Sequence, residues 1–293
     1  MTRRADLNDF LRTCRARLAP RDVGLPPGPG QRRVPGLRRE ELALLAGISV
    51  DYYIRLEQGR CGTVSEGVLD AVASALRLTD DERAYLHQLA KPTRTRVRAP
   101  RAQTVRAGLH QLLNALPASP AFVFGRRMDI LAWNPLACAL ITDFAALPVR
   151  RRNLARLILL DENVRRLYPN REQVVSDTVG HLRIDAGRYP DDPELTSLIG
   201  ELSMHSEEFR RHWAMHTVKS KTHGVKQFRH PLVGEFVLAY ETLHLPDAPD
   251  QLLNVYTAEP GSPADDNLKI LATWHPGNGQ QAGGLPGLTP AEG

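Results

Sequence analysis

The sequence predicts two domains of different class: an all-α N-terminal domain followed by an α+β C-terminal domain. Three observations carry this. Apolar residues recur at helical spacing through the first 91 residues. Short apolar runs joined by polar turns follow residue 120, as antiparallel strands require. Charge divides along the same line: residues 1–110 hold 20 basic and 12 acidic side chains, whereas residues 111–293 hold 18 and 21. A chain of 293 residues with 42% hydrophobic content is long enough for two cores.

The expected organisation is a helical domain over 1–91, a basic linker over 92–104, an α+β domain over 105–275 and a disordered tail over 276–293. Leu7, Phe10, Leu11, Cys14 and Leu18 define a first amphipathic helix over 7–19, which Pro20 ends. About 18 residues then intervene, centred on Pro26-Pro27-Gly28-Pro29-Gly30, a composition that cannot continue a helix. Helical pattern resumes over 38–46 and breaks at Gly47-Ile48. Ser49 is placed to cap the next helix, 50–58, with Gly59 at its end. Ser65 caps a fourth helix, and Asp80 opens a fifth that runs to Ala90.

In the second half, helices are expected over 105–116, 135–146, 153–159, 171–187, 194–203, 207–218 and 265–274. Strands are expected over 121–125, 129–133, 222–228, 234–245 and 252–257.

Several function classes find no support. No apolar run approaches the roughly 18–20 residues that span a bilayer, and no signal peptide is visible, so a cytoplasmic protein without a membrane partner is expected. Cys14, Cys61 and Cys138 are odd in number and far apart, which suits neither a disulfide framework nor a cysteine zinc site. No phosphate-binding glycine loop or nucleophile elbow appears, so no enzyme and no cofactor are expected. His205, His212 and His216 stand at i, i+7 and i+11, a spacing that one helix face can present. The zincin pattern, however, needs glutamate directly after the first histidine, and Trp213 follows His212. A fused metalloenzyme is the remote alternative.

The basic N-terminal third points to a polyanion. Within it, residues 37–59 carry the signal: two short helices joined by a tight turn, with Ala43 permitting close approach and Gly47 making the turn. Leu42, Leu45, Ile48, Tyr53 and Leu56 are expected inside. Val50, Asp51, Tyr52 and Arg55 are left outside, where a DNA major groove would lie.

This stretch resembles the lambda-repressor-like, Xre-type helix-turn-helix in Glu40-Glu41-Leu42-Ala43, Ala46-Gly47-Ile48-Ser49 and Arg55-Leu56-Glu57-Gln58-Gly59. The resemblance implies double-stranded DNA as partner. It implies base-facing roles for Val50, Asp51, Tyr52 and Arg55, backbone contacts from Gln58 and Arg60, and a phosphate or base contact from Arg39, with Arg38 beside it. Glu57 matches a buried structural glutamate. The long connection departs from the usual short turn and puts phosphate contacts by Arg12 or Arg15 in doubt; Arg32 and Arg33 are the expected substitutes.

Over the whole chain, the sequence resembles the MmyB-like regulators. Matching stretches are Arg33-Val34-Pro35-Gly36-Leu37-Arg38-Arg39-Glu40-Glu41, Val50-Asp51-Tyr52-Tyr53, Ile130-Leu131-Ala132-Trp133-Asn134, Arg229-His230-Pro231-Leu232-Val233-Gly234 and Tyr256-Thr257-Ala258-Glu259-Pro260-Gly261-Ser262. This implies a PAS-like C-terminal fold that binds a small apolar, fatty-acid-like ligand. A sensor pocket needs apolar walls and a few polar groups. Phe122, Phe124, Leu131, Trp133, Phe144, Trp213, Phe236 and Val237 are candidate walls; His216, Lys226 and His230 are candidate carboxylate partners. The same aromatics would also serve simply as core. A homodimer is expected, because one recognition helix reads few base pairs. The C-terminal domain as a dimerisation or protein-interaction module without a ligand remains the alternative.

Overall fold

The computed structural model describes residues 3–26, 36–90, 103–216, 218 and 222–273. Most of the expected linker, the expected tail, Arg32 and Arg33 lie outside these residues. In chain order the helices are α1 (Arg3–Arg17), α2 (Arg39–Leu45), α3 (Val50–Glu57), α4 (Glu66–Ala75), α5 (Asp80–Ala90), α6 (Ala107–Asn114), α7 (Pro135–Leu140), α8 (Leu154–Leu160), α9 (Glu162–Arg166), α10 (Arg171–Arg188), α11 (Pro193–His205), α12 (Glu207–Ala214) and α13 (Pro263–Thr273). The strands are β1 (Ala121–Phe124), β2 (Ile130–Trp133), β3 (His223–His230), β4 (Gly234–His244) and β5 (Leu252–Thr257). An N-terminal helical region is thus followed by a region built on an antiparallel sheet.

Contacts divide the chain into two compact units. One draws on residues 1–102, 158–160 and 171–221, the other on 103–157, 161–170 and 222–293. Helices α10 to α12, which the sequence groups with the second half, therefore pack with the N-terminal helices.

In the first unit, Leu7, Phe10, Leu11, Leu42, Ala43, Tyr53, Leu56, Leu69, Val72 and Leu86 form a continuous buried core. Val218 is buried in the same core and Ile184 of α10 packs against it. Gly187 allows α10 to approach α5 closely, since a Cβ there would lie 2.6 Å from Tyr85 Cε2. Gln88 Nε2 donates to the Ile184 carbonyl at 3.3 Å beside this contact.

Helix starts follow local chemistry. Ser49 Oγ accepts the Tyr52 N–H at 3.2 Å and Ser65 Oγ accepts that of Val68 at 3.4 Å. Thr79 and Glu82 make a reciprocal capping box at the head of α5: Thr79 N–H donates to Glu82 Oε2 at 3.1 Å, and Glu82 N–H to Thr79 Oγ1 at 3.3 Å. Gly47 and Gly59 take φ of 65° and 62°, the left-handed conformation that lets the chain turn sharply after α2 and α3.

The second unit is a five-stranded sheet in the order β2-β1-β5-β4-β3, antiparallel throughout. On one face Ala121, Val123, Ala132 and Leu253 pack under Leu109 and Leu113 of α6. The other face is aromatic, with Phe122, Phe228, Phe236, Tyr240 and Tyr256 all buried. Asn134 locks the turn from β2 into α7. Its Oδ1 accepts from Ala121 and Ala137 N–H, and its Nδ2 donates to the Leu116 and Ser119 carbonyls, which uses its full hydrogen-bonding capacity.

Some elements differ from expectation. The helix expected over 135–146 ends at Leu140, and Asp143 Oδ1 then accepts from the N–H groups of Ala145 and Ala146, which favours a turn. Helix α9 was not foreseen; Asp161 starts it by accepting from Asn163 and Val164 N–H at 3.0 Å each. The helix expected over 207–218 stops at Ala214, and His216 adopts φ of 51°.

Candidate nucleic-acid interface and ligand-binding face

The exposed side of α3 is built from its N-cap outward. With Ser49 fixing the first turn, Tyr53, Leu56 and Glu57 face the core. Val50, Asp51 and Arg55 are exposed, and Tyr52 is half-buried. The Arg55 guanidinium lies 5.9 Å from the centroid of the Tyr52 ring, so the ring and the cation share one surface. Arg60 is exposed just beyond the helix, where its N–H donates to the Arg55 carbonyl at 2.8 Å; Gln58 is half-buried.

A buried carboxylate organises the arginines behind this surface. The side chain of Glu57 is 0% exposed, yet two cations reach it. Arg15 donates to Oε1 from Nη2 at 3.1 Å and from Nε at 3.3 Å. Arg39 donates to Oε2 through Nε and keeps 44% of its side chain exposed. Arg15 also donates to the Leu37 carbonyl at 2.6 Å, and Leu37 N–H donates back to the Arg15 carbonyl at 3.1 Å. Arg15 therefore faces inward as a structural residue. Arg12 is exposed beside Asp9, and Arg38 stands 3.7 Å from Glu40.

The residues expected to line a ligand pocket fall into two groups. Phe122, Phe124, Trp133, Phe144, Lys226 and His230 belong to the second unit. Phe144 bridges Phe122 and Trp133 at centroid distances of 6.4 and 5.4 Å. Lys226 Nζ lies 5.8 Å from the Tyr168 ring and 5.3 Å from the Tyr240 ring. His230 is engaged at both nitrogens: Nδ1 accepts from Leu232 N–H at 3.2 Å and Nε2 faces the Ala139 carbonyl at 3.0 Å. Those partners make Nε2 the donor, and burial pushes the imidazole below its ordinary pKa. His230 is thus a neutral brace rather than a cation awaiting a carboxylate. Strand alternation places Val237 on the exposed face of β4 while Phe236 faces inward, and both line a surface cavity with Val225 and Ala239.

Trp213 and His216 belong to the first unit, around Arg183. The Arg183 guanidinium stacks 4.1 Å above Trp213, hydrogen-bonds to the Trp213 carbonyl and lies 3.0 Å from His216 Nδ1 through Nη1. Burial and this cation together push His216 down to about 4. The single helix face proposed for the three histidines does not form, because α11 ends at His205 and Ser206 caps a new helix. Among the described residues no group of three histidine, cysteine, aspartate or glutamate side chains could hold a metal ion. None of their helices is long and apolar enough to cross a membrane.

Comparison with known families decides the setting of these two surfaces. Residues 105–271 match the model described as MmyB-like transcription regulator ligand binding domain, and residues 6–86 match a helix-turn-helix domain model. The chain belongs to the MmyB-like regulators. No curated protein matches it. As an MmyB-like regulator it is a DNA-binding transcription regulator with a ligand-binding C-terminal region.

Two features of this regulator lie outside the sequence expectations. Arg15 follows Cys14 on the buried side of α1, and a cation so placed signals a buried acidic partner such as Glu57. The aromatic face also includes Tyr168, Phe228, Tyr240 and Tyr256. Of these, Phe228 alternates with His230 on the buried side of β3 and Tyr240 with Leu238 and Phe236 on that of β4, a period-2 signal present in the sequence.

Proposed function

We propose that this MmyB-like regulator reads a two-fold operator as a homodimer, through Val50, Asp51, Tyr52 and Arg55 of α3. Arg38, Arg39, Gln58 and Arg60 hold the phosphate backbone, joined by Arg33 from the sequence preceding α2. The observation that carries this reading is the Glu57 clamp, which fixes Arg39 at the head of α2 while α3 presents the Tyr52–Arg55 pair outward. Backbone contacts fix orientation, and side chains on α3 choose the sequence.

The C-terminal region is PAS-like and senses a small apolar, fatty-acid-like ligand against its aromatic sheet face. The sheet order and the packed inner aromatics support this reading. Helices α10 to α12 offer a route for the signal. They lie within the matched ligand-binding region, yet pack on the helix-turn-helix core.

Selecting genomic fragments on the purified protein, then measuring affinity for the recovered site, tests the DNA reading. Arg55→Ala is expected to weaken specific binding by about 1–3 kcal/mol while leaving non-specific binding nearly unchanged. Wild-type affinity is expected to fall steeply with salt. Unchanged operator affinity in Arg55→Ala would remove the base-reading role.

A second reading makes the C-terminal region an interaction module without a ligand. The exposed outer side of β3 and β4 favours it, since Val225, Val237 and Leu243 lie open there. Native mass spectrometry separates the two, with a lipid adduct expected for the sensor and a bare dimer for the module.

A further inference from the structure

Asn254 lies on β5 between Phe122 of β1 and Thr242 of β4. It is only 6% exposed. Its Oδ1 accepts from Thr242 Oγ1 at 2.9 Å. Its Nδ2 makes no hydrogen bond, and among the described residues of the second unit it is the one buried side-chain nitrogen or oxygen left so. The amide acts on the Tyr256 hydroxyl two residues along the same face, but that contact falls short of hydrogen-bond geometry. Asn134 and Asn153 provide the contrast, since each uses its amide nitrogen twice and its oxygen at least once. A buried N–H without an acceptor is costly, and folded proteins rarely retain one.

The surroundings say what would complete it. Phe122, Tyr240 and Tyr256 form an aromatic wall on this face, and Lys226 brings a cation over the Tyr240 ring. A wholly apolar guest would leave the amide unpaired, and a guest presenting only donors would oppose it.

We propose that Asn254 Nδ2 is the donor that reads an oxygen acceptor on the regulator's ligand. That ligand is an amphiphile whose apolar body lies against the aromatic wall and whose carboxylate or ester oxygen meets Asn254. The assignment rests on the ligand-sensing reading above and adds the polar contact that selects within it.

The test uses the full chain and three probes that share an eight-carbon chain: octanoate, methyl octanoate and octane. Thermal shift and calorimetry measure binding. In wild type, octanoate or its ester is expected to bind at least ten-fold more tightly than octane. A preference for octanoate alone identifies a carboxylate, and equal preference for the ester identifies a carbonyl oxygen. Asn254→Leu removes the unpaired amide, so the unliganded Tm is expected to hold or rise while the ten-fold preference disappears. Asn254→Asp retains the acceptor for Thr242 and replaces the donor with a negative charge, so octanoate binding is expected to fall at least ten-fold. If the leucine variant fails to fold by circular dichroism, the aspartate variant decides. Wild-type-like octanoate preference in either folded variant overturns the role of Asn254 alone. Failure of all three probes to bind wild type overturns the ligand-sensing reading and this assignment with it.

Discussion

A methyl group at Gly36 would sit 2.4 Å from the Arg15 carbonyl oxygen and 2.5 Å from Ala16 Cα. Both are backbone atoms and cannot rotate away. Gly36→Ala must therefore push the chain off α1 and strain the Arg15–Leu37 hydrogen bonds; a loss of about 1–3 kcal/mol in chemical denaturation is expected. Glu57 is more sensitive still. Glu57→Ala leaves the Arg15 cation buried without its carboxylate, and a loss of about 3–5 kcal/mol is expected by the same measurement. His216 responds to pH. Its folded pKa, about 4, lies below the unfolded value, so the unfolded chain takes up the proton first. Its contribution is present above about pH 6.5 and is lost as pH falls toward 4. Melts across that window should show a shallower loss in His216→Gln than in wild type. The sequence exposed part of this residue chemistry. Glu57 is legible as structural through family resemblance; the apolar face of α1 marks Arg15 as a buried cation, but nothing local says which carboxylate, 42 positions away, it meets.

Helix ends were legible because caps act over three or four residues. Ser49 and Ser65 sit where the sequence places them and accept the expected N–H groups. Ser49→Ala is expected to cost about 1 kcal/mol and to weaken operator binding, since it frees the first turn of α3. Missed elements were those in which a short side-chain turn overrode periodicity. Asp143 ends a helix that the apolar spacing would continue; the break between α11 and α12, by contrast, falls at Ser206, inside the gap between the expected helices 194–203 and 207–218. The histidine stripe failed for that reason: spacing of i, i+7 and i+11 aligns side chains only if the helix is unbroken. Strand positions follow the apolar runs, and alternation sends the adjacent Phe236 and Val237 to opposite faces of β4.

Two-part organisation was readable from composition, because a shift in charge and in hydrophobic period survives without any knowledge of contacts. What composition cannot report is which core a distant helix joins. Val218 and Ile184 complete the apolar cover over the N-terminal helices. A fragment of residues 1–102 therefore exposes the surface they cover. Relative to those helices in the full chain, it is expected to lose at least about 2 kcal/mol of stability and to bind a hydrophobic dye. Equal hydrogen-exchange protection of α5 in fragment and full chain would contradict this. Ligand identity was likewise beyond composition, since the aromatic face is assembled from strands more than 100 residues apart.

The interleaving of the chain has a practical consequence for anyone building chimeras. Residues 170 and 222 both belong to the second unit, so the segment between them is fastened at each end to that unit. A single protease cut between residues 90 and 103 severs the backbone there but leaves α1 to α5 held on α10 and Val218 by non-covalent contacts alone. The operator-reading head is therefore not portable as an N-terminal cassette. Grafted onto a foreign sensor, it would need α10 to α12 as well, and the graft would require three junctions instead of one.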